Sequence, residues 1–253
     1  NMNFLFDKIA KLGISKDLFK NKIVSRDFYD KIVSYGEEVP SLLLDEAANY
    51  ICRIFNCSMN DLWSDTPIGT RDNAFEVRYK MPKNANANQI KAYSHYAFHM
   101  AKIVLKSSGA KRKQYPKDID EFIDAYRNTN KTIELQSLTQ FVWELGICVL
   151  PLNDTGLFHG ASWNIDGNHV IVLKQTTGSH ARWIFDLLHE LYHVFAHLDE
   201  ENSTVIETEE LTHLSNNDAL EELEANGFAN QVLFNKRVHE ITESCIDQAN
   251  WKM

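Results

Sequence analysis

The sequence predicts an α+β protein, and three observations support this fold class. Helix-capping residues recur at short intervals in the first 65 residues, positions 147–173 have the pattern of strands joined by a hairpin, and two long helical segments follow. The chain has 253 residues, 44% hydrophobic and 24% charged, so it can bury a sizeable core and is not disordered. No apolar run reaches the roughly 18 residues that a membrane-spanning helix needs.

Five short helices are predicted in residues 1–65. Ser15, Ser25 and Ser58 each stand where they can cap a helix N-terminus, and Gly36 follows an apolar stripe that it can end. The spacing of these signals indicates a compact all-α module.

A linker is predicted at 66–88, which is rich in turn residues, and a larger domain at 89–253. Its expected elements are, in order, helices at 89–105, 118–127 and 133–145, strands at 147–150, 158–165 and 169–173, and helices at 179–198 and 218–234. Asp166-Gly167 is typical of a two-residue hairpin turn between the last two strands.

Cysteine usage and charge exclude several classes. The four cysteines lack C-x-x-C spacing, which predicts neither a disulfide framework nor a thiolate metal site and favours a reducing cytoplasm. The first residues lack the basic-then-apolar pattern of a secretion signal. A net charge of −9 argues against a protein that coats nucleic acid through bulk electrostatics.

The strongest chemical signal is the run HELYH at 189–193, a match to H-E-x-x-H on a predicted helix. Residues four positions apart on a helix lie about 40° apart around its axis, so His189 and His193 can both reach one Zn²⁺. Glu190 is close enough in sequence to polarise a water bound to that ion. A helix with two structural histidines is the alternative that the motif alone leaves open.

A third ligand is predicted on the last helix. Glu222 can supply the carboxylate that a catalytic zinc site adds to two histidines, with one position left open. Asn226, one turn further on the same face, can orient a ligand imidazole. Glu224 projects about 200° away from Glu222, so it is kept as the fallback metal ligand. The alternative is a solvated acidic helix face.

The other histidines receive no role. His197 repeats the four-residue spacing but would lie about 6 Å further along the helix axis, too far to share the ion. His95 and His99 form a pair with no acid between them, and His159 and His169 flank the hairpin, where either could line a cleft.

The C-terminal domain resembles the ImmA/IrrE family of zinc metallopeptidases between about 133 and 234. In that family an apolar strand precedes an R-x-x-F-x-x-x-H-E-x-x-H helix, and an E-x-E-A-N/D-x-F-A helix follows. The corresponding segments here are 168–173, 182–193 and 222–229. The chain differs from the family at position 192, where it has Tyr and the family frequently has Gly.

This resemblance implies a mainly helical, zincin-like metallopeptidase domain with a small β-sheet. It implies that His189, His193 and Glu222 bind zinc and that Glu190 is the general base. It also implies a substrate, a helix-turn-helix transcriptional repressor whose cleavage relieves repression in a stress response or a mobile element.

The N-terminal module resembles the Xre-type helix-turn-helix over residues 23–36 and 40–62. The resemblance implies a recognition helix on which Arg26 and Lys31 are candidate DNA contacts. Residues 1–65 contain eight Lys/Arg and ten Asp/Glu, so protein contact is an equal alternative to DNA binding.

The sequence therefore predicts a cytoplasmic zinc-dependent endopeptidase joined to a helix-turn-helix module. Mn²⁺ or Fe²⁺ could occupy the same ligands. The acidic stretch 199–210 could attract a basic protein substrate, or it is a solvated loop. The alternative class is a DNA- or protein-binding transcription regulator, or an antitoxin-like protein, with a structural or vestigial zinc site. A hydrolase of a non-protein amide is a third reading.

Overall fold

A computed structural model describes the protein at residues 2–65, 76–79, 87–152, 160–174, 177–198, 203–207 and 216–235. The chain divides into two compact units. Unit 1 comprises Asn1–Ala74 and Lys83–Met100, and unit 2 comprises Phe75–Pro82 and Ala101–Met253.

Short helices make up the N-terminal part of unit 1. They are α1 (Met2–Lys11), α2 (Lys16–Leu18) with a π-helical turn at Phe19–Ile23, α3 (Arg26–Ser34), α4 (Ser41–Phe55) and α5 (Met59–Trp63). The side chains of Ser15, Ser25 and Ser58 accept backbone N–H bonds of 3.0, 3.2 and 3.0 Å, so the predicted caps are confirmed. Asn56 adopts a left-handed conformation with φ 51° and ends α4.

The remaining elements are five helices and five strands in the described residues. They are β1 (Glu76–Tyr79), α6 (Ala87–Ser108), α7 (Ile119–Arg127), α8 (Leu135–Glu144), β2 (Cys148–Leu152), β3 (Gly160–Ile165), β4 (Asn168–Lys174), α9 (His180–His197), β5 (Ser203–Glu207) and α10 (Asn216–Leu233). These helices and strands confirm the α+β class. None of the helices in the described segments is both long enough and apolar enough to cross a membrane.

The strands form one mixed sheet in the order β1-β5-β3-β4-β2. Strand β3 is antiparallel to β4 and to β5, whereas β2 is parallel to β4 and β1 is parallel to β5. Asp166 and Gly167 have φ values of 53° and 77°, the two positive values of a type I′ turn, so the predicted hairpin is confirmed.

Two strands lie where the sequence indicated other structure. Strand β1 falls inside the predicted linker, and β5 falls inside the acidic stretch, of which positions 199–202 and 208–210 lie outside the described residues. Both are short, and polar or turn residues on each side mask their signal. The strand predicted at 147–150 extends to Leu152 and includes Pro151, because an edge strand tolerates a residue without an N–H donor.

The core of unit 2 lies between the sheet and helices α7 to α10. Leu187, Leu188 and Leu191 of α9 are fully buried and pack with Phe228 and Val232 of α10 and with side chains from α7, α8, β2 and β4. This packing fixes the two helices against each other, and the candidate site is formed between them.

Candidate metal centre

Three side chains converge from α9 and α10. His189 and His193 lie one turn apart on the buried side of α9, and Glu222 lies on α10; their exposed fractions are 1%, 0% and 3%. One ligand atom from each lies within 4.8 Å of the others. The structure therefore brings the two histidines of the motif together with the carboxylate predicted on the last helix.

The separations within this group are those of a metal site. The Nε2 atoms of the two histidines are 3.2 Å apart, and Glu222 oxygens lie 3.3 Å from His189 Nε2 and 3.5 Å from His193 Nε2. Two nitrogens that are each about 2.1 Å from a tetrahedral zinc ion would be separated by about 3.4 Å. One small divalent cation therefore fits the donor set of these three residues.

Asn226 fixes the orientation of the first histidine. Its Oδ1 lies 3.1 Å from His189 Nδ1, and because an amide oxygen only accepts, the imidazole donates through Nδ1. The lone pair of the neutral ring is then on Nε2, the atom that faces His193 and Glu222. Asn226 thus holds His189 in the tautomer that a metal ligand needs.

Glu190 is held against strand β3. Its side chain is completely buried, and a β-carbon added to Gly160 would lie 2.8 Å from Glu190 Cδ and 2.9 Å from Cγ. Only glycine leaves room for the carboxylate at this point. Sequence analysis did not identify Gly160, since the contact depends on the approach of β3 to α9.

Glu224, the fallback ligand, lies elsewhere. It is exposed, and Tyr192 donates it a hydrogen bond of 2.6 Å. Burial and this hydrogen bond raise the pKa of Tyr192 above its usual range. The Tyr192 ring also contacts His193 and Phe228. Glu224 is therefore bonded to Tyr192, the tyrosine that replaces the frequent glycine of the resembled family, and is not part of the buried group.

A buried hydrogen-bond network anchors the end of α9. The carbonyl oxygen of Leu198 accepts from Asn164 Nδ2 and from His169 Nε2, both at 2.8 Å. Tyr115 OH lies 2.6 Å from the other ring nitrogen of His169 and donates to it in the neutral ring. His169 is therefore structural, a role that sequence analysis left unassigned, and His159 lies outside the described residues.

The arginine of the R-x-x-F-x-x-x-H-E-x-x-H pattern, Arg182, lies in the first turn of α9. Arg182 Nε lies 2.9 Å from Asp186 Oδ1, and the Asp186 side chain is only 4% exposed. A buried carboxylate needs a partner of opposite charge, and Arg182 supplies it. This explains physically why an arginine precedes the candidate ligand His189 by two turns.

The candidate DNA contacts are on a different helix. Arg26 and Lys31 are both exposed on α3, and Arg26 Nε lies 3.9 Å from Asp30 Oδ2 in a solvent-exposed pair. Helix α3 follows the π-helical turn after only two residues, Val24 and Ser25. No described contact of these side chains indicates what they bind.

The comparison with protein families bears on the second unit. Residues 145–241 match the model of peptidase family M78, described as the IrrE N-terminal-like domain. Together with the buried His–His–Glu group, this match supports a metallopeptidase. The matched region, which extends from before β2 to beyond α10, is similar to the IrrE/ImmA type. Searches of curated proteins and of solved structures gave no significant match to the chain.

Proposed function

We propose that the protein is a zinc-dependent endopeptidase that cleaves a helix-turn-helix transcriptional repressor in the cytoplasm. The observation that carries the proposal is the set of three ligand-to-ligand separations, 3.2, 3.3 and 3.5 Å, among buried His189, His193 and Glu222. Two neutral imidazoles and one carboxylate are a donor set that zinc prefers in hydrolases.

His189, His193 and Glu222 would hold the ion. When bound, zinc supplies Lewis acidity that polarises the scissile carbonyl and makes water more acidic. Glu190, the residue after the first ligand, would accept a proton from the attacking water and deliver it to the leaving amine. Its burial keeps bulk water from competing for this proton, and Gly160 leaves the space that its carboxylate occupies.

The test of the catalytic assignment is Glu190→Gln, which keeps the size of the side chain and removes its basicity. We expect full metal content, measured by elemental analysis, and a fall in cleavage rate of at least about a hundredfold. Glu144→Gln, an exposed change on α8, is the matched control. Undiminished proteolysis by Glu190→Gln would remove the assigned base.

The repressor substrate is tested directly. The protein would be incubated with a helix-turn-helix protein encoded beside it, with and without a zinc chelator, and the products analysed by mass spectrometry. We expect fragments only without the chelator. An intact partner under all conditions would contradict the substrate assignment. It would not contradict the metal site, which the metal content of the variants tests separately.

A second candidate function rests on α3. Arg26 and Lys31 are exposed, so DNA or a partner protein can reach them, and the alternative function is a transcription regulator or antitoxin-like protein that binds through the N-terminal module. A mobility shift on the promoter of its own gene, lost in the Arg26→Ala/Lys31→Ala variant and unaccompanied by cleavage, would favour this function.

A further inference from the structure

Three sulfur atoms meet in unit 1. Cys52 is near the end of α4, Asn56 turns the chain back with its left-handed conformation, and Cys57 and Met59 follow at the start of α5. The Cys57 thiol lies 3.6 Å from Cys52 Sγ, and Cys52 Sγ lies 3.7 Å from Met59 Sδ. The lack of C-x-x-C spacing predicted no thiolate metal site. The left-handed turn at Asn56 brings the two thiols together although four residues separate them.

These separations suit a bound metal better than a covalent bond. Two sulfur ligands that are each about 2.3 Å from a metal ion lie about 3.8–4.0 Å apart in tetrahedral or trigonal geometry. The observed distances of 3.6 and 3.7 Å need only a small adjustment. A disulfide needs its sulfurs at about 2.0 Å, so Cys52 and Cys57 would have to approach much further.

Two of the sulfurs can be reached from solvent, and a carboxylate beside them attracts a cation. Cys52 and Met59 are partly exposed, whereas Cys57 is buried. The hydrogen bond between the two thiols lowers the pKa of Cys52, whereas the same bond and burial raise the pKa of Cys57. The carboxylate of Asp61 raises the pKa of both thiols and adds negative charge that attracts a cation.

We propose that Cys52, Cys57 and Met59 form a binding site for a monovalent thiophilic metal ion of the Cu(I) type. Two thiolates and a thioether are the soft ligands that select Cu(I) over the harder divalent ions. Each thiol that binds as a thiolate releases its proton, so affinity should rise with pH. The site belongs to unit 1 and is independent of the histidine–glutamate centre in unit 2.

The experiment is a competition titration of the full, reduced chain with Cu(I) and the chelator bicinchoninate, without oxygen and with zinc present. We expect one Cu(I) per chain and the ultraviolet charge-transfer band of a copper–thiolate bond, which imidazole ligands do not give. Cys52→Ser and Cys57→Ser should each weaken binding about a hundredfold or more, and Met59→Leu about tenfold.

Matched controls are available in the same chain. Cys148→Ser changes a buried cysteine that lies 3.3 Å from Ser108 Oγ, and Met100→Leu changes a partly buried methionine on α6; both should bind as the parent does. Copper affinity that survives Cys52→Ser would overturn the site, and Cys52 is partly exposed, so this variant should fold even if Cys57→Ser does not. Peroxide-driven disulfide formation without Cu(I) retention would also overturn it.

Discussion

Gly160 of β3 and Glu190 of α9 are in direct contact, and the missing side chain of the glycine provides the space that the carboxylate fills. A β-carbon at Gly160 would lie 2.8 Å from Glu190 Cδ, closer than such contacts are found. The position of the proposed base is therefore set by a strand that precedes it in the chain and not only by its own helix.

Gly160→Ala should displace the Glu190 carboxylate. Because a shift of about 1 Å in a catalytic group can cost about a hundredfold in rate, we expect a loss of that order in kcat with unchanged zinc content. Gly178→Ala is the control, since a β-carbon there meets nothing within 4 Å. Equal activity of the two variants would show that Gly160 does not position Glu190. An altered pH profile in Gly160→Ala alone would separate positioning from general loss of stability.

Glu222→Gln should remove tightly bound metal, whereas Glu224→Gln should keep it. Glu222 is buried beside both imidazoles, and Glu224 is exposed and bonded to Tyr192. The two changes are chemically identical and lie two residues apart on α10, so each controls the other. Elemental analysis after dialysis measures the outcome, and metal loss from Glu224→Gln would contradict the assignment of Glu222.

Asn226→Ala should weaken zinc binding about 10- to 100-fold without abolishing it. The amide oxygen lies 3.1 Å from His189 Nδ1, and partners of this kind orient metal-ligand histidines. Asn230→Ala, one turn further along α10 and also partly buried, is the control. The measurement is a competition titration with a zinc-binding dye, and equal affinities of the two variants would exclude the proposed role of Asn226.

His169→Ala should destabilise unit 2 by about 1–3 kcal/mol, because it leaves Tyr115 OH without its ring partner and removes one of the two side-chain donors to the Leu198 carbonyl. Thermal unfolding followed by circular dichroism measures the loss. His180→Ala, at the exposed first position of α9, should change stability little. A melting temperature unchanged by His169→Ala would remove the anchoring role of this network.

The helices and the hairpin could be predicted because their signals are local. Ser25 caps the helix that follows it, and Asp166-Gly167 determines its own turn, whatever the rest of the chain does. His189 and His193 were found for the same reason, since one helical turn fixes their relation. Glu222 required a second segment; it was preferred to Glu224 because Asn226 shares its helix face, and the family resemblance implied the same residue.

The features that sequence analysis missed depend on contacts between distant segments. Nothing near Gly160 in the sequence indicates that Glu190 will lie against it. The network of Tyr115, Asn164, His169 and Leu198 joins a loop, two strands and a helix end, so no local pattern reveals it. The thiol pair was missed because it depends on the left-handed backbone of Asn56. Asparagine tolerates this conformation, but its presence in a sequence does not predict it.

The division of the ligands between two helices also has a consequence during synthesis. A growing polypeptide presents both imidazoles of α9 well before α10 leaves the ribosome, with β5 made in between. Until the carboxylate of Glu222 emerges and α10 docks, a nascent chain holds only two of the three ligands. The proposed proteolytic activity therefore has to wait until α10 has been synthesised and has packed against α9.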